Sequence, residues 1–199
     1  MPQPKPDVGV LDLFRSTGAY LSGHFRLTSG LHSPEYLQCA LVLQHPQHAE
    51  ELGRRLAAAL TALTGEEQIH LVASPAIGGL IIGHEVARAL RTRFIFAERD
   101  NAGKMTLRRG FEVTAGENAV VVEDVIRTGG STREVIEALR ERGARVLAAG
   151  SIIDRSGGKV DLGVPRAALE TLTVVAHAPE SCPLCSQGIP VVKPGSRPA

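Results

Sequence analysis

The most informative chemistry in the chain is an apolar run that ends in two carboxylates and opens onto a glycine turn: Val120-Val121-Val122-Glu123-Asp124-Val125-Ile126-Arg127-Thr128-Gly129-Gly130-Ser131-Thr132. Ligands of open parallel sheets bind beyond the carboxyl ends of the strands. Glycines let backbone N–H groups approach an anion closely, and a helix N-terminus adds partial positive charge. The hydroxyls of Thr128, Ser131 and Thr132 can donate further. The stretch lacks the Lys of a P-loop and the G-x-G-x-x-G of a dinucleotide site. Glu123 and Asp124 would repel a polyphosphate directly but suit hydroxyls or a metal. One phosphate at the turn with a polyol beside it, as in a ribose 5-phosphate, fits this arrangement. Each part has a plainer reading when taken alone. Ser131 with Glu134 has capping-box spacing, and Glu123-Asp124 could be a solvated strand end. The combination at this spacing is what points to a ligand.

Two other segments hold candidate chemistry. Arg99 to Gly110 is polar, lies between two apolar runs and carries Arg99, Lys104, Arg108 and Arg109. Long polar loops inside compact domains are uncommon and usually functional, although a solvated hairpin tip would read the same way. Cys182-Pro183-Leu184-Cys185 is a C-x-x-C. Zinc needs two more ligands, for which Cys39 and His177 are available in principle. A redox pair would want a thioredoxin-like context, which is absent. A structural role, or none, is favoured over metal. His45, His48, His70 and His84 show no ligand spacing.

The elements that must position these residues follow from the apolar pattern. Val10, Leu11, Leu13 and Phe14 share one face of a short helix over 8–17, with Asp7 as a candidate N-cap and Gly18 as its stop. Residues 25–43, broken by Gly30 and Pro34, fit two short strands or a hairpin. Pro46 suits a first helical position, and Leu52, Leu56, Ala59, Leu60 and Leu63 recur at helical spacing up to Gly65. Beyond it, apolar runs at 69–73, 94–97, 119–122 and 146–153 alternate with helical segments from Gly79 to Leu90 and from Ser131 to Gly143. That alternation predicts βαβ units and a parallel sheet covered on both faces.

Composition sets the limits. At 199 residues the chain is one domain, or one with a small appendage. Twenty-two Lys and Arg against 21 Asp and Glu leave no excess charge to neutralise nucleic-acid phosphates. No apolar run approaches a membrane span, and the N-terminal stretch shows no signal peptide. Three cysteines, an odd number, argue against a disulfide framework. The expectation is a cytoplasmic globular protein. With no Trp, five Phe and two Tyr, its core must be built from Val, Leu, Ile and Ala.

The stretch from Val120 to Thr132 resembles the signature with which type I phosphoribosyltransferases bind phosphoribosyl pyrophosphate (PRPP). Ser74-Pro75-Ala76-Ile77-Gly78-Gly79, after a strand and opening a helix, resembles the pyrophosphate loop of that superfamily, though alone it is equally an ordinary βα turn. Phe25-Arg26-Leu27-Thr28-Ser29-Gly30-Leu31-His32-Ser33-Pro34-Glu35-Tyr36 resembles the N-terminal F-x-L-x-S-G-x-x-S-P-x-Y segment of orotate phosphoribosyltransferases. Ile153-Asp154-Arg155 resembles their D-R pair, whose Arg holds the orotate carboxylate; a guanidinium fork matches a carboxylate bidentately. A buried Asp–Arg pair is the plainer reading of that dipeptide. The four matches fall in the family's order between residues 25 and 155.

The resemblance implies an α/β type I phosphoribosyltransferase fold. A central, mostly parallel sheet flanked by helices would occupy about 46–177, with a small hood from about 1–45 plus the C-terminal segment. It implies transfer of ribose 5-phosphate from PRPP to orotate, giving orotidine 5′-phosphate and pyrophosphate in pyrimidine biosynthesis. Mg²⁺ is expected through PRPP and water, with no protein metal ligand. By the same resemblance, Asp124, Glu123, Lys104 and Arg99 are the catalytic candidates, with both carboxylates on the ribose hydroxyls. Thr128, Gly129, Gly130, Ser131 and Thr132 would hold the 5′-phosphate. Ala76, Ile77, Gly78 and the loop cations, Arg108 among them, would take pyrophosphate. Arg155, Phe25, Thr28, Ser29 and Gly30 would recognise orotate. A homodimer is implied, with loop 99–110 reaching into the neighbouring site; nucleic acid and membrane are not expected partners. Because that loop is long, polar and rich in cations, no core is expected to hold it, and it should be mobile in the empty site. The chain departs from the family's R-K-x-x-K-x-H-G loop: Asp100 replaces a Lys and the loop has no His. Thr28 stands where a Lys is usual, and Arg127 where Thr is common. A purine-salvage phosphoribosyltransferase would share the PRPP site but not Arg155 or the segment 25–36. A non-catalytic PRPP-sensing regulator would need a DNA-binding segment, for which residues 1–24 are too short and too neutral.

Overall fold

The computed structural model describes residues 8–27 and 29–194. In chain order the elements are α1 (Val10–Ser16), β1 (Tyr20–Arg26), β2 (His32–Leu37), α2 (Cys39–Leu43), α3 (Pro46–Thr64), β3 (Leu71–Pro75), α4 (Gly79–Leu90), β4 (Arg93–Arg99), β5 (Met105–Leu107), β6 (Asn118–Ile126), α5 (Gly130–Arg140), β7 (Arg145–Asp154), β8 (Arg166–Thr171) and α6 (Pro183–Ser186). Asp7, the expected cap of α1, lies outside the described residues, as does Thr28; the N-cap position of α1 is Gly9. The chain divides into two compact units, Leu43–Leu172 and Met1–Val42 with Thr173–Ala199.

The larger unit is built on a six-stranded sheet in the order β5-β4-β3-β6-β7-β8. All neighbouring pairs are parallel except β4 with β5. β3 is buried at every position, as a central strand covered on both faces requires. Alternate side chains go to opposite faces. Ala73, Val121 and Ala149 pack in one cluster with Val135, Ile136 and Leu139 of α5. The other face takes α3, whose Leu52, Leu56 and Leu60 recur every four residues and are fully buried. Gly150 of β7 admits that face: a Cβ there would lie 3.1 Å from Leu56 and 3.2 Å from Leu60. Pro46 opens α3 where its missing N–H is not needed, and Gly65 closes it at φ 63°.

Two strands depart from the sequence reading. β5 lies inside the segment expected to be a long polar loop. Met105 and Leu107 alternate into the core while Thr106 pairs across to Glu98. β8 was concealed because Arg166-Ala167-Ala168-Leu169-Glu170-Thr171 offers no apolar run; it edges the sheet beside β7.

The smaller unit is built on the antiparallel pair β1–β2, running from Tyr20 opposite Leu37 to Arg26 opposite His32. The C-terminal segment bonds to both strands. Val192 N–H donates to His24 O and Arg26 N–H to Val192 O, each at 2.8 Å. His177 and His32 exchange main-chain bonds of 2.8 Å, and the Ser33 hydroxyl donates to Val175 O at 2.9 Å.

Helices α3 and α4 meet where Gly53 has no side chain. A Cβ there would stand 2.5 Å from Glu85 Cβ and 2.9 Å from its backbone carbon. Backbone cannot yield as a side chain can, so Gly53→Ala is expected to destabilise the protein by about 1–3 kcal/mol. A lower urea midpoint at unchanged m-value is the expected result; an unchanged midpoint would refute the close approach.

Candidate active site

The chain leaves β3 for β4 through α4 and leaves β6 for β7 through α5, in opposite directions along the sheet. The strand order therefore turns between β3 and β6, and a crevice opens beyond their carboxyl ends. The sequence places its two candidate loops there.

After β3, Ala76 N–H donates to Ala97 O at 2.8 Å, the Ala76–Ile77 peptide bond is cis, and Ile77 is 83% exposed. The next residue touches the carboxylate across the crevice. A Cβ on Gly78 would lie 2.6 Å from Asp124 Oδ1 and 2.9 Å from Oδ2. A Cβ on Gly79 would lie 2.8 Å from Ser74 Cβ and 3.0 Å from Val122 O. Only glycines let the start of α4 come this close to β6.

Asp124 and Glu123 are partly buried at the end of β6. Asp124 Oδ1 accepts from Val125 N–H at 2.9 Å, and the Thr132 hydroxyl donates to Glu123 Oε2. Burial pushes the Glu123 carboxyl up to about 7; the Thr132 bond opposes this and the Asp124 charge adds to it. Burial also raises Asp124, against the hydrogen bond from Val125. The strand thus presents two carboxylates in a poorly solvated place, where an incoming hydroxyl or a positive charge gains most.

The turn into α5 differs in detail from the sequence reading. The helix begins at Gly130, its N-cap position is Gly129 at φ 73°, and no side chain caps it. The Ser131–Glu134 capping box does not form; Glu134 pairs with Arg99 at 2.9 Å instead. An uncapped first turn keeps backbone N–H groups available to an anion. Gly129 is needed twice over, since a Cβ there would also stand 2.6 Å from Leu162 and 2.7 Å from Val160. Thr128 is exposed and Ser131 half-buried, but Thr132 is fully buried. Its hydroxyl donates to Glu123, tying the phosphate turn to the carboxylate pair.

Arg155 joins this edge from β7, its N–H donating to Ile126 O at 2.8 Å. Its neighbour Asp154 is fully buried. Burial would raise that carboxyl, but bonds from Ser156 N–H at 2.7 Å and Ser156 Oγ at 2.6 Å, with the Arg166 guanidinium, hold it below the usual range. The guanidinium partner of Asp154 is thus Arg166 of β8, a residue the sequence reading did not single out.

The cations of segment 99–110 are held elsewhere. Arg99 Nη1 donates to Gly103 O at 2.6 Å, and Arg109 forks onto Glu98 at 2.6 and 2.8 Å. Asp100 Oδ1 closes the turn by accepting from Ala102 and Lys104 N–H, both at 2.9 Å. Lys104 Nζ lies 3.8 Å from Glu141, just past the last residue of α5. The 11 residues of α5 rise about 16 Å, so Lys104 rests by the helix end opposite the Gly129 turn. Arg108 is exposed. The expectation that no core holds this segment is corrected by the burial of Met105 and Leu107. Of the remaining candidates, Phe25 is buried in β1, Ser29 is exposed, and Gly30 turns at φ 85° within the smaller unit.

Residues 42–165 match the phosphoribosyl transferase domain. An orotate phosphoribosyltransferase of Pelotomaculum thermopropionicum is 59% identical over 188 residues, covering 94% of this chain and 96% of the relative. One of Desulforamulus reducens is 52% identical over the same share of this chain and 96% of its own. The crystal structure of orotate phosphoribosyltransferase from Aeropyrum pernix has a TM-score of 0.68 and 26% identity, over 82% of this chain and 93% of that one. The chain belongs to the phosphoribosyltransferase family, in its orotate phosphoribosyltransferase branch.

The Glu123 environment has a measurable consequence in the ligand-free protein. Its carboxyl stands near 7 in the fold, against an ordinary 4.5. Folding therefore takes up a proton between those values, and stability falls as pH rises through them and stays lower above. Glu123→Gln is expected to stabilise the protein by up to about 3 kcal/mol at about pH 8 and hardly at all at about pH 4. Denaturant titrations at both values check this; an equal effect at each would show that Glu123 is not held protonated.

Proposed function

We propose that this chain transfers the ribose 5-phosphate of PRPP to a ring nitrogen of orotate, yielding orotidine 5′-phosphate and pyrophosphate. The observation that carries the reading is the approach of Gly78 to Asp124 beside the uncapped start of α5. It joins a backbone loop suited to pyrophosphate, carboxylates suited to ribose hydroxyls and N–H groups suited to a phosphate. The C1–O bond to pyrophosphate breaks as the C1–N bond forms on the opposite face, and the ring nitrogen's proton passes to water. Charge on the sugar is positive in between, so the protein's work is positioning and electrostatic stabilisation. Asp124 and Glu123 orient the hydroxyls and face that charge. The Gly129–Ser131 turn anchors the 5′-phosphate, and the Ala76–Gly78 backbone receives the leaving group. Arg155 binds the orotate carboxylate. The assignment of Phe25 and residues 28–30 to orotate rests on resemblance in sequence alone.

The donor set beside the crevice fits Mg²⁺ arriving with PRPP. Both carboxylates offer only oxygen, and hard cations of this kind keep several waters. When bound, Mg²⁺ would supply charge neutralisation of the pyrophosphate, and Glu123 and Asp124 would face it through substrate and water. No disulfide joins Cys39, Cys182 and Cys185, which accords with a reducing compartment such as the cytoplasm. The resting place of Lys104, away from its own Asp124, supports a homodimer in which segment 99–110 serves the neighbouring site.

Purified protein with orotate, PRPP and Mg²⁺ is expected to consume orotate absorbance, while uracil and adenine leave PRPP intact. Turnover of adenine in place of orotate would move the chain to the purine-salvage reading. Asp124→Asn is expected to lower turnover by about 100-fold. Arg155→Ala is expected to cost about 2–5 kcal/mol in orotate affinity and little in PRPP affinity; equal weakening of both would remove Arg155 from the orotate site.

The trans arrangement is tested by mixing two nearly inactive chains, Lys104→Ala and Asp124→Asn. A heterodimer then holds one site with both defects and one with neither, so activity returns to as much as half per dimer. No recovery despite demonstrated subunit exchange would assign the segment to its own site.

A further inference from the structure

Four side chains that this chemistry does not use converge in the smaller unit. His24 and His32 stand on β1 and β2, while Cys182 occupies the N-cap position of α6 and Cys185 lies within that helix. One ligand atom from each falls within 4.8 Å of all the others. His24, His32 and Cys182 are buried. We propose that His24 Nε2, His32 Nδ1 and the two Sγ atoms bind one structural Zn²⁺.

The geometry is that of a tetrahedron's corners. Zn–N and Zn–S bond lengths put the edges of an S₂N₂ site at about 3.3 Å for N···N and about 3.6 Å for N···S. Here His24 Nε2 to His32 Nδ1 is 2.9 Å. Cys182 Sγ and Cys185 Sγ stand 3.5 and 3.7 Å from His24 Nε2, and Cys185 Sγ stands 3.3 Å from His32 Nδ1. Hydrogen bonds alone do not account for this packing. His24 Nδ1 lies 2.7 Å from Ile189 O, a pure acceptor, so Nδ1 carries the proton and the neutral ring's Nε2 has a single lone pair. Three groups crowd that one lone pair. A metal resolves the conflict, because Nε2, Nδ1 and two thiolates can all point at it. The bond to Ile189 O is also the outer contact that fixes the tautomer of a ligating histidine.

The donor set selects the ion. Two sulfurs and two imidazoles in a tetrahedral array suit Zn²⁺ and not Mg²⁺. All four positions come from the protein, which marks a structural site with none open for catalysis. Binding releases the two thiol protons as the ligands become thiolates. The site fastens the C-terminal segment to the hairpin, and its two histidines bracket residues 25–31. The sequence reading looked to Cys39 and His177 for the missing ligands. His177 instead pairs through its backbone with His32, and Cys39 lies in α2 outside the cluster.

The test uses the full chain and needs neither PRPP nor orotate, so it stands apart from the transferase reading. Metal analysis of protein purified without chelator is expected to give one zinc per chain. Exchange to Co²⁺ should give intense visible bands of a tetrahedral site and near-ultraviolet thiolate charge transfer. Cys182→Ser and His32→Ala are each expected to weaken Co²⁺ binding by more than about 100-fold, whereas Cys39→Ser should leave it unchanged. Should the ligand variants fail to fold, the wild-type chain decides alone: its Tm should fall when a chelator strips the metal and recover on adding Zn²⁺. Weak octahedral Co²⁺ bands, iron in place of zinc, a Cys182–Cys185 disulfide in the purified chain, loss of binding in Cys39→Ser, or a Tm indifferent to metal would each overturn the assignment.

Discussion

The parallel pairing of β3 with β6, Leu71 opposite Ala119 through Ala73 opposite Val121, sets where both ligand loops begin. From that register the chain leaves one strand toward Gly78 and the other toward Gly129. The separation between the two loops is then governed by whether the backbone of one can touch the carboxylate of the other. Gly78 allows it, and Gly79 tightens the same contact from inside α4. A side chain at either would push the start of α4 off the end of β6, and the crevice would lose the proximity that lets one substrate reach both walls.

This closeness has an electrostatic cost for the empty protein. Glu123 and Asp124 are both raised by burial, so the fold works against their charged forms until something arrives to use them. Thr132 offsets part of that cost by donating to Glu123 from within the helix that begins at the phosphate turn. Asp154, one strand over, shows the opposite solution. Ser156 and Arg166 meet it fully, and its charge is a structural fixture of the β7–β8 edge. Adjacent strands of one sheet thus hold one carboxylate satisfied and two in waiting, and the difference is what separates scaffold from site.

The sheet was legible because its buried strands are near-continuous apolar runs with helices of clear four-residue spacing between them. Gly79–Leu90 as a helix, Pro46 as a helix start and the carboxylates at a strand end all followed from local pattern. β5 and β8 did not. Each is an edge strand whose identity comes from its neighbour's hydrogen bonds, with only Met105 and Leu107 reaching the core in one and no apolar run in the other. The bond from Thr132 to Glu123 was hidden because it joins the helix start to the strand before it, nine residues back, where no spacing rule applies. The ion pair between Asp154 and Arg166 spans twelve residues, and the approach of His24 to Cys182 spans 158, distances over which no spacing rule operates. Residue types told what chemistry was present; only the fold told which groups meet.

The smaller unit takes strands from the beginning of the chain and its closing contacts from the end, with Val192 bonded on both sides of Phe25. On a ribosome the β1–β2 hairpin emerges early and must wait while the 130 residues from Leu43 to Leu172 are made. At about 5–20 residues per second that wait is on the order of 6–26 seconds. During it the larger unit has all of its sequence available and the hairpin has none of its C-terminal partners. A two-stranded hairpin is only marginally stable alone, so the first segment synthesised is among the last to be secured. Truncated chains lacking the C-terminal segment would carry a complete sheet and an unfinished hairpin, and quality control in the cell would meet them as such.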